Sequence, residues 1–194
     1  EDFNQYARSK PLWIKDSLYN TIENLDFNLF SKINFKTYYK INSILFSHAN
    51  PYIFNKKANF DWSYLNTFGE NIKAISHLKY YGFSLGVFAH THRRKIFSSN
   101  YSLSRNKFLP INLNKNYEIS ISTQITNLNV GSIGQPRSKE DQTCCWTLLK
   151  KKLDSEIIEI SFKKFNTNLH KHFQSLNNSK MKQETINKLK SFFK

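Results

Sequence analysis

The run Leu85-Gly86-Val87-Phe88 and the residues that follow it, Ala89-His90-Thr91-His92-Arg93-Arg94, constrain this chain most. A short, wholly apolar run reads as a central strand buried on both faces, which requires a sheet covered on each side. The chain leaves that strand with two imidazoles one residue apart. In extended backbone such side chains share one side, about 6–7 Å apart. They can grip one metal ion, or one each of two neighbouring ions. Leu45-Phe46-Ser47-His48-Ala49-Asn50-Pro51 repeats the scheme of apolar strand, histidine and turn. Parallel strand ends converge on one edge, where ligands of open α/β folds collect, so His48, His90 and His92 are candidate metal ligands. Asn129-Val130-Gly131-Ser132-Ile133-Gly134-Gln135-Pro136-Arg137 is a glycine-punctuated turn placed to close a pocket. Arg137 and Arg94 are candidate phosphate contacts, because a guanidinium can give phosphate two hydrogen bonds.

Residues 3 to about 28 read as helical, with Pro11 near a helix start. Two strand-like runs follow, Phe35 to Lys40 and Ser43 to Phe46, joined at Ile41-Asn42. Residues 64 to 80 read as a helix with Leu65, Phe68, Ile72, Ile75 and Leu78 inward, ended by Tyr81-Gly82. After the His-Thr-His loop come short β-segments: Lys95 to Phe97, Tyr117 to Ile121, Thr126 to Val130, Cys144 to Leu149 and Ile157 to Phe162. The expected order is α/β first and antiparallel β later. Residues 166–194 read as a basic surface helix or loosely held tail. No repeat or linker is visible, so 1–194 reads as one domain with its core at 3–165.

Hydrophobic content of 39% predicts a folded chain. No apolar run approaches the ~18 residues of a membrane span, and no signal peptide is visible. Cys144 and Cys145 are adjacent, so a mutual disulfide would be strained; they read as reduced residues of a cytoplasmic protein. Met181 is the only methionine, which predicts that the chain starts inside a longer reading frame. The net charge of +15 invites a nucleic-acid reading. The lysines are spread along the chain, however, which suits a solvated basic surface with weak attraction to polyanions. His77, His170 and His172 read as ordinary helix and tail residues.

At the three histidine-bearing and glycine-bearing segments the sequence resembles the calcineurin-like metallophosphoesterase superfamily, in its small bacterial and archaeal phosphodiesterase branch. Ala89-His90-Thr91-His92 resembles the family's Gly-His-Thr-His motif, and Ser47-His48-Ala49-Asn50-Pro51 its His-Gly-Ser-Pro turn. Asn129 to Arg137 is similar to Asn-Pro-Gly-Ser-Val-Gly-Gln-Pro-Arg, with Val130 in place of proline. Asn4-Gln5-Tyr6-Ala7-Arg8 through Trp13 to Leu18 is similar to the helix after the family's Gly-Asn-His motif. The resemblance implies part of a four-layer α/β/β/α sandwich lacking the N-terminal strands of one sheet, and so an exposed strand edge. It implies two divalent ions of the Mn, Fe, Zn or Ni class, with His48 and His90 on one and His92 on the other, and a metal-bridging hydroxide that attacks phosphorus.

The departures define the rest of the reading. Ala49 and Ala89 replace glycines, each adding a Cβ where close approach or a positive φ is expected. Asp-x-His, Gly-Asp-x-x-Asp and Gly-Asn-His do not occur in the chain. Three neutral histidines suffice for one zinc but not for two neighbouring dications, which require an anionic bridge. Asp61 and Asp141 are the stragglers, each read as an ordinary loop or helix-start residue. The expectation is therefore the C-terminal segment of a phosphoesterase acting on a phosphate mono- or diester, inactive alone. Its partners would be a phosphorylated small molecule or nucleotide and a missing N-terminal segment or partner chain. A decayed, non-catalytic remnant and a basic nucleic-acid-binding module are the alternatives.

Overall fold

The structure is a computed structural model that describes residues 10–54, 62–100, 106–138 and 141–193. The helix start expected at residue 3, the Asn4–Arg8 match and Asp61 lie outside the described residues. The chain forms two compact units, Thr37–Phe165 and a second made of residues 1–36 with 166–194.

Thr37–Phe165 is built on a six-stranded mixed sheet and a three-stranded antiparallel one. The larger sheet has the order β1 (Tyr38–Ile41), β2 (Ile44–Ser47), β3 (Leu85–Phe88), β7 (Gln124–Val130), β4 (Arg94–Asn100), β5 (Asn106–Leu109). The smaller has the order β6 (Asn116–Ser120), β9 (Ile157–Lys164), β8 (Cys145–Lys151). Asn42 turns the β1–β2 hairpin with φ 50°, a conformation that asparagine tolerates. β3 lies between β2 and β7, parallel to both. The remaining pairings are antiparallel: those from β4 onward follow the expected change of texture, whereas the β1–β2 hairpin is antiparallel at the start of the sheet. β5 is the strand the sequence did not signal; its Asn-Lys start breaks the apolar pattern.

Alternation along the strands divides the core in two. Leu85 and Val87 join Ile44, Ile96 and Leu128 against Ile119, Ile158, Ile160 and Phe162 of the smaller sheet. Leu45, Phe88, Phe97 and Ile125 face the other way, onto Ala74, Ile75 and Leu78 of the helix Phe68–Tyr80. Each fully buried side chain of this size contributes about 1.5–3 kcal/mol. The helix starts at a capping box: Thr67 accepts from the Glu70 N–H while the Glu70 carboxylate accepts from the Thr67 N–H. That box, rather than the apolar spacing, sets the start four residues later than expected. Phe68 is consequently exposed, and Asn71 occupies the inward face instead. Gly82 follows the helix with φ 76°, as a C-terminal glycine should. Both outer strands of the smaller sheet, β6 and β8, are edges.

The other unit packs Met181, Ile186 and Leu189 against Trp13, Leu176 and Phe192. Trp13, Leu176, Ile186 and Leu189 come from the helices Leu12–Glu23, Leu169–Asn177 and Gln183–Lys190, Met181 from the segment before the last of these and Phe192 from the short 3₁₀ turn Ser191–Phe193 after it. The C-terminal segment is thus two helices with a small core, not a loose tail. No described helix is long and apolar enough to cross a membrane. Cys144 and Cys145 are free and buried.

Candidate functional site

β2 and β3 run parallel and deliver His48 and His90 to the same sheet edge. The His48 carbonyl accepts from the N–H groups of both Ala89 and His90, each at 2.9 Å. This ties the two turns together. His90 Nδ1 lies 3.2 Å from His48 Nε2. Two nitrogens bound tetrahedrally to one ion at 2.0–2.1 Å would stand about 3.3 Å apart. The observed spacing therefore suits either a hydrogen bond or a shared cation. Lost hydration lowers the pKa of all three histidines; His90, next to the charges of His48, His92 and Arg137, falls to about 4. Neutral imidazole is the metal-ligating form.

His92 is held differently. Its Nδ1 lies 2.9 Å from the Gln135 carbonyl. A carbonyl only accepts, so Nδ1 carries the proton and Nε2 presents its lone pair, the arrangement by which proteins orient ligating histidines. The Arg137 N–H also donates to the His92 carbonyl at 3.2 Å. The glycine-punctuated turn thus backs His92. Between the two histidines, the Thr91 hydroxyl donates to Asn129 Oδ1 at 3.1 Å and accepts from the Arg93 N–H at 3.2 Å. Neither Ala49 nor Ala89 takes a positive φ, so the alanines fit their turns; the left-handed residue is His92, with φ 56°.

Trp62, Tyr64 and Asn66 belong to the site and were not legible in the sequence, since an extended segment carries no periodic signal. Tyr64 stacks on His90, centroids 4.4 Å apart and planes 18° from parallel. The Trp62 ring lies 6.0 Å from His48 and 5.7 Å from His90. Buried Asn50 joins this segment to the His48 turn by donating to the Ser63 carbonyl and accepting from the Tyr52 N–H.

Arg137 sits beside the histidines, its charge felt by His90 and His92, while Nη2 donates to Gln135 Oε1. Arg94 points to the opposite face of its strand. Its Nη1 donates to the Thr143 carbonyl at 2.7 Å and its Nη2 pairs with the Asp141 carboxylate. With 9% of its side chain exposed, Arg94 is committed to that structural clamp. Asp141 is its counter-ion.

Among the described residues, no group of three or more His, Cys, Asp and Glu side chains is arranged to hold a metal ion. His48 and His90 fit one edge of a cation site. The donor set is wholly neutral, so it does not fit a complete two-ion centre.

No protein-family model and no curated protein sequence matches the chain. A crystal structure of a metallophosphoesterase from Sphaerobacter thermophilus matches it with a TM-score of 0.63 and 13% sequence identity, over 91% of this chain and 67% of that one. The chain has the mixed α/β fold of a metallophosphoesterase.

Proposed function

We propose that this chain supplies the histidine side of a metal-dependent phosphoesterase centre acting on a phosphate mono- or diester. The carboxylate side would come from a further segment of the same protein or from a partner chain. The 3.2 Å approach of His48 Nε2 and His90 Nδ1 at one sheet edge carries this reading, supported by the metallophosphoesterase fold. His48 and His90 would hold one divalent ion and His92, through Nε2, a second. When bound, such ions polarise a phosphoryl oxygen and make a coordinated water acidic at neutral pH. The chain's own residues supply orientation: the Gln135 carbonyl fixes the His92 tautomer, and Tyr64 fixes the plane of His90. Arg137 adds positive charge beside the histidines, suited to an anionic phosphate. Arg94 has no part, since its guanidinium is occupied.

Calorimetric titration of the chain with Mn²⁺ or Zn²⁺ tests this reading. Stoichiometric binding, abolished by His90→Ala and by His48→Ala, is expected. The absence of binding by folded protein would favour the second reading, a non-catalytic remnant, which the all-neutral donor set supports. Phosphodiester hydrolysis is expected only when the complementary segment is added.

A further inference from the structure

Beyond the histidines, the segment Trp62–Asn66 leads to a second group of charges. Asn66 is gripped from two sides: Arg93 Nη1 donates to its Oδ1 at 3.4 Å and Lys95 Nζ to its carbonyl at 2.7 Å. Arg93 Nε also donates to the Arg137 carbonyl at 3.2 Å. Arg93, just before β4, and Lys95, within it, both reach Asn66, whereas Arg94 between them turns to Asp141. Arg93 Nη2 has no partner among the described residues, and one Lys95 donor is used. The Lys95 pKa is lowered by burial and by the Arg93 charge, with only Glu70 opposing. The Glu70 carboxylate is itself taken up by the Asn66 and Thr67 N–H groups. Two cations, Arg93 and Lys95, thus share a half-buried strip with one carboxylate that already accepts two N–H groups, two residues along the chain from the tyrosine stacked on His90. Like charges packed this way repel unless an anion joins them.

We infer that Arg93 and Lys95, braced on Asn66 beside the His48–His90 pair, form an anion subsite, and that the substrate carries a second phosphoryl group, as a phosphoanhydride does. The substrate assignment rests on the proposed phosphoesterase reading; the subsite itself does not. Arg93 would reach that group through Nη2 while its Nε and Nη1 stay anchored, and Lys95 would add a point charge.

The test is binding of inorganic pyrophosphate and of orthophosphate to the full chain, without metal, at about 0.15 M salt, where diffuse surface attraction is screened. Pyrophosphate is expected to bind about tenfold more tightly than orthophosphate. Arg93→Gln with Lys95→Gln should remove that preference, whereas Lys107→Gln, an exposed lysine on β5, should leave it unchanged. Circular dichroism reports whether the double variant folds. If it does not, Lys95→Gln alone, which leaves Arg93 anchored, should lose about threefold. Equal affinity for the two anions, full retention in the folded variants, or an equal loss in Lys107→Gln would overturn the subsite. The His48→Ala, His90→Ala double variant should still bind pyrophosphate. Failure of the metal titration therefore sinks the phosphoesterase reading alone, and failure here sinks the subsite alone.

Discussion

The hydroxyl of Thr91 reaches across from the end of β3 to the side chain of Asn129 at the end of β7, 3.1 Å away, and pins the turn that carries His90 and His92. Both residues are almost wholly buried, and Asn129 Nδ2 has no hydrogen-bond partner of its own. Thr91→Val keeps the shape and removes the donor. It should destabilise the protein by about 1–3 kcal/mol, the usual cost of orphaning a buried polar group, while Thr91→Ser should restore most of that. Urea denaturation of the three proteins decides it.

Gly131 has φ 83°, and a Cβ built on it would lie 2.5 Å from Cys145 Sγ and 2.9 Å from Arg94 Cγ. Gly131→Ala combines backbone strain with overpacking and should cost roughly 2–4 kcal/mol. Gly134, in the same turn, has open space around it. Gly134→Ala should change stability by less than about 0.5 kcal/mol. Comparable melting shifts for the two variants would contradict the geometry described.

Arg94→Met should be costly for stability and silent for anion binding. The substitution takes the guanidinium away from Asp141 Oδ2 and the Thr143 carbonyl, while Asp141 Oδ1 keeps the Thr143 N–H. Asp141 is partly solvated, so a loss of about 2–4 kcal/mol is expected, toward the lower end for a broken buried pair. A folded Arg94→Met protein with weakened pyrophosphate affinity would return Arg94 to the phosphate.

Acid should weaken the fold through the histidines. His90 titrates near 4 in the native state against 6.5 when unperturbed, and His48 and His92 are also lowered. Below 6.5 the unfolded chain therefore binds more protons than the native one. Their contribution is complete above that pH and fades as pH falls toward about 4. His90→Gln should flatten the decline in melting temperature between pH 7 and 4 relative to the parent. An unchanged slope would mean that His90 is not held neutral by its surroundings.

The features readable in the sequence were those written in local pattern. The apolar runs before His48 and His90 specify adjacent buried strands, and a parallel pair must bring their ends together. Gly131 lies in the recognised turn because only backbone freedom explains a glycine there. What depends on facing could not be read. Arg93 and Arg94 are chemically alike neighbours, and only the fold decides that the first, just before β4, turns toward Asn66 and the second, in β4, toward Asp141. Tyr64 and Trp62 owe their position to Asn50, thirteen residues from Ser63, a contact with no periodic signature. The capping box at Thr67 and Glu70 was present as letters, but the apolar residues before it extended the helix on paper. The C-terminal helices gain their small core from Trp13, at the far end of the chain.

The left-handed backbone at His92 has one more consequence. Glycine would occupy φ 56° freely, and asparagine nearly so, whereas a bulky ring resists it by about a kilocalorie per mole. Replacing His92 with glycine should relax the main chain even as it removes the Gln135 contact, so the two effects partly cancel in any melting curve. The position is thus a poor choice for scaffolding and a sensible one for chemistry: an imidazole stands where folding alone would have selected hydrogen for a side chain.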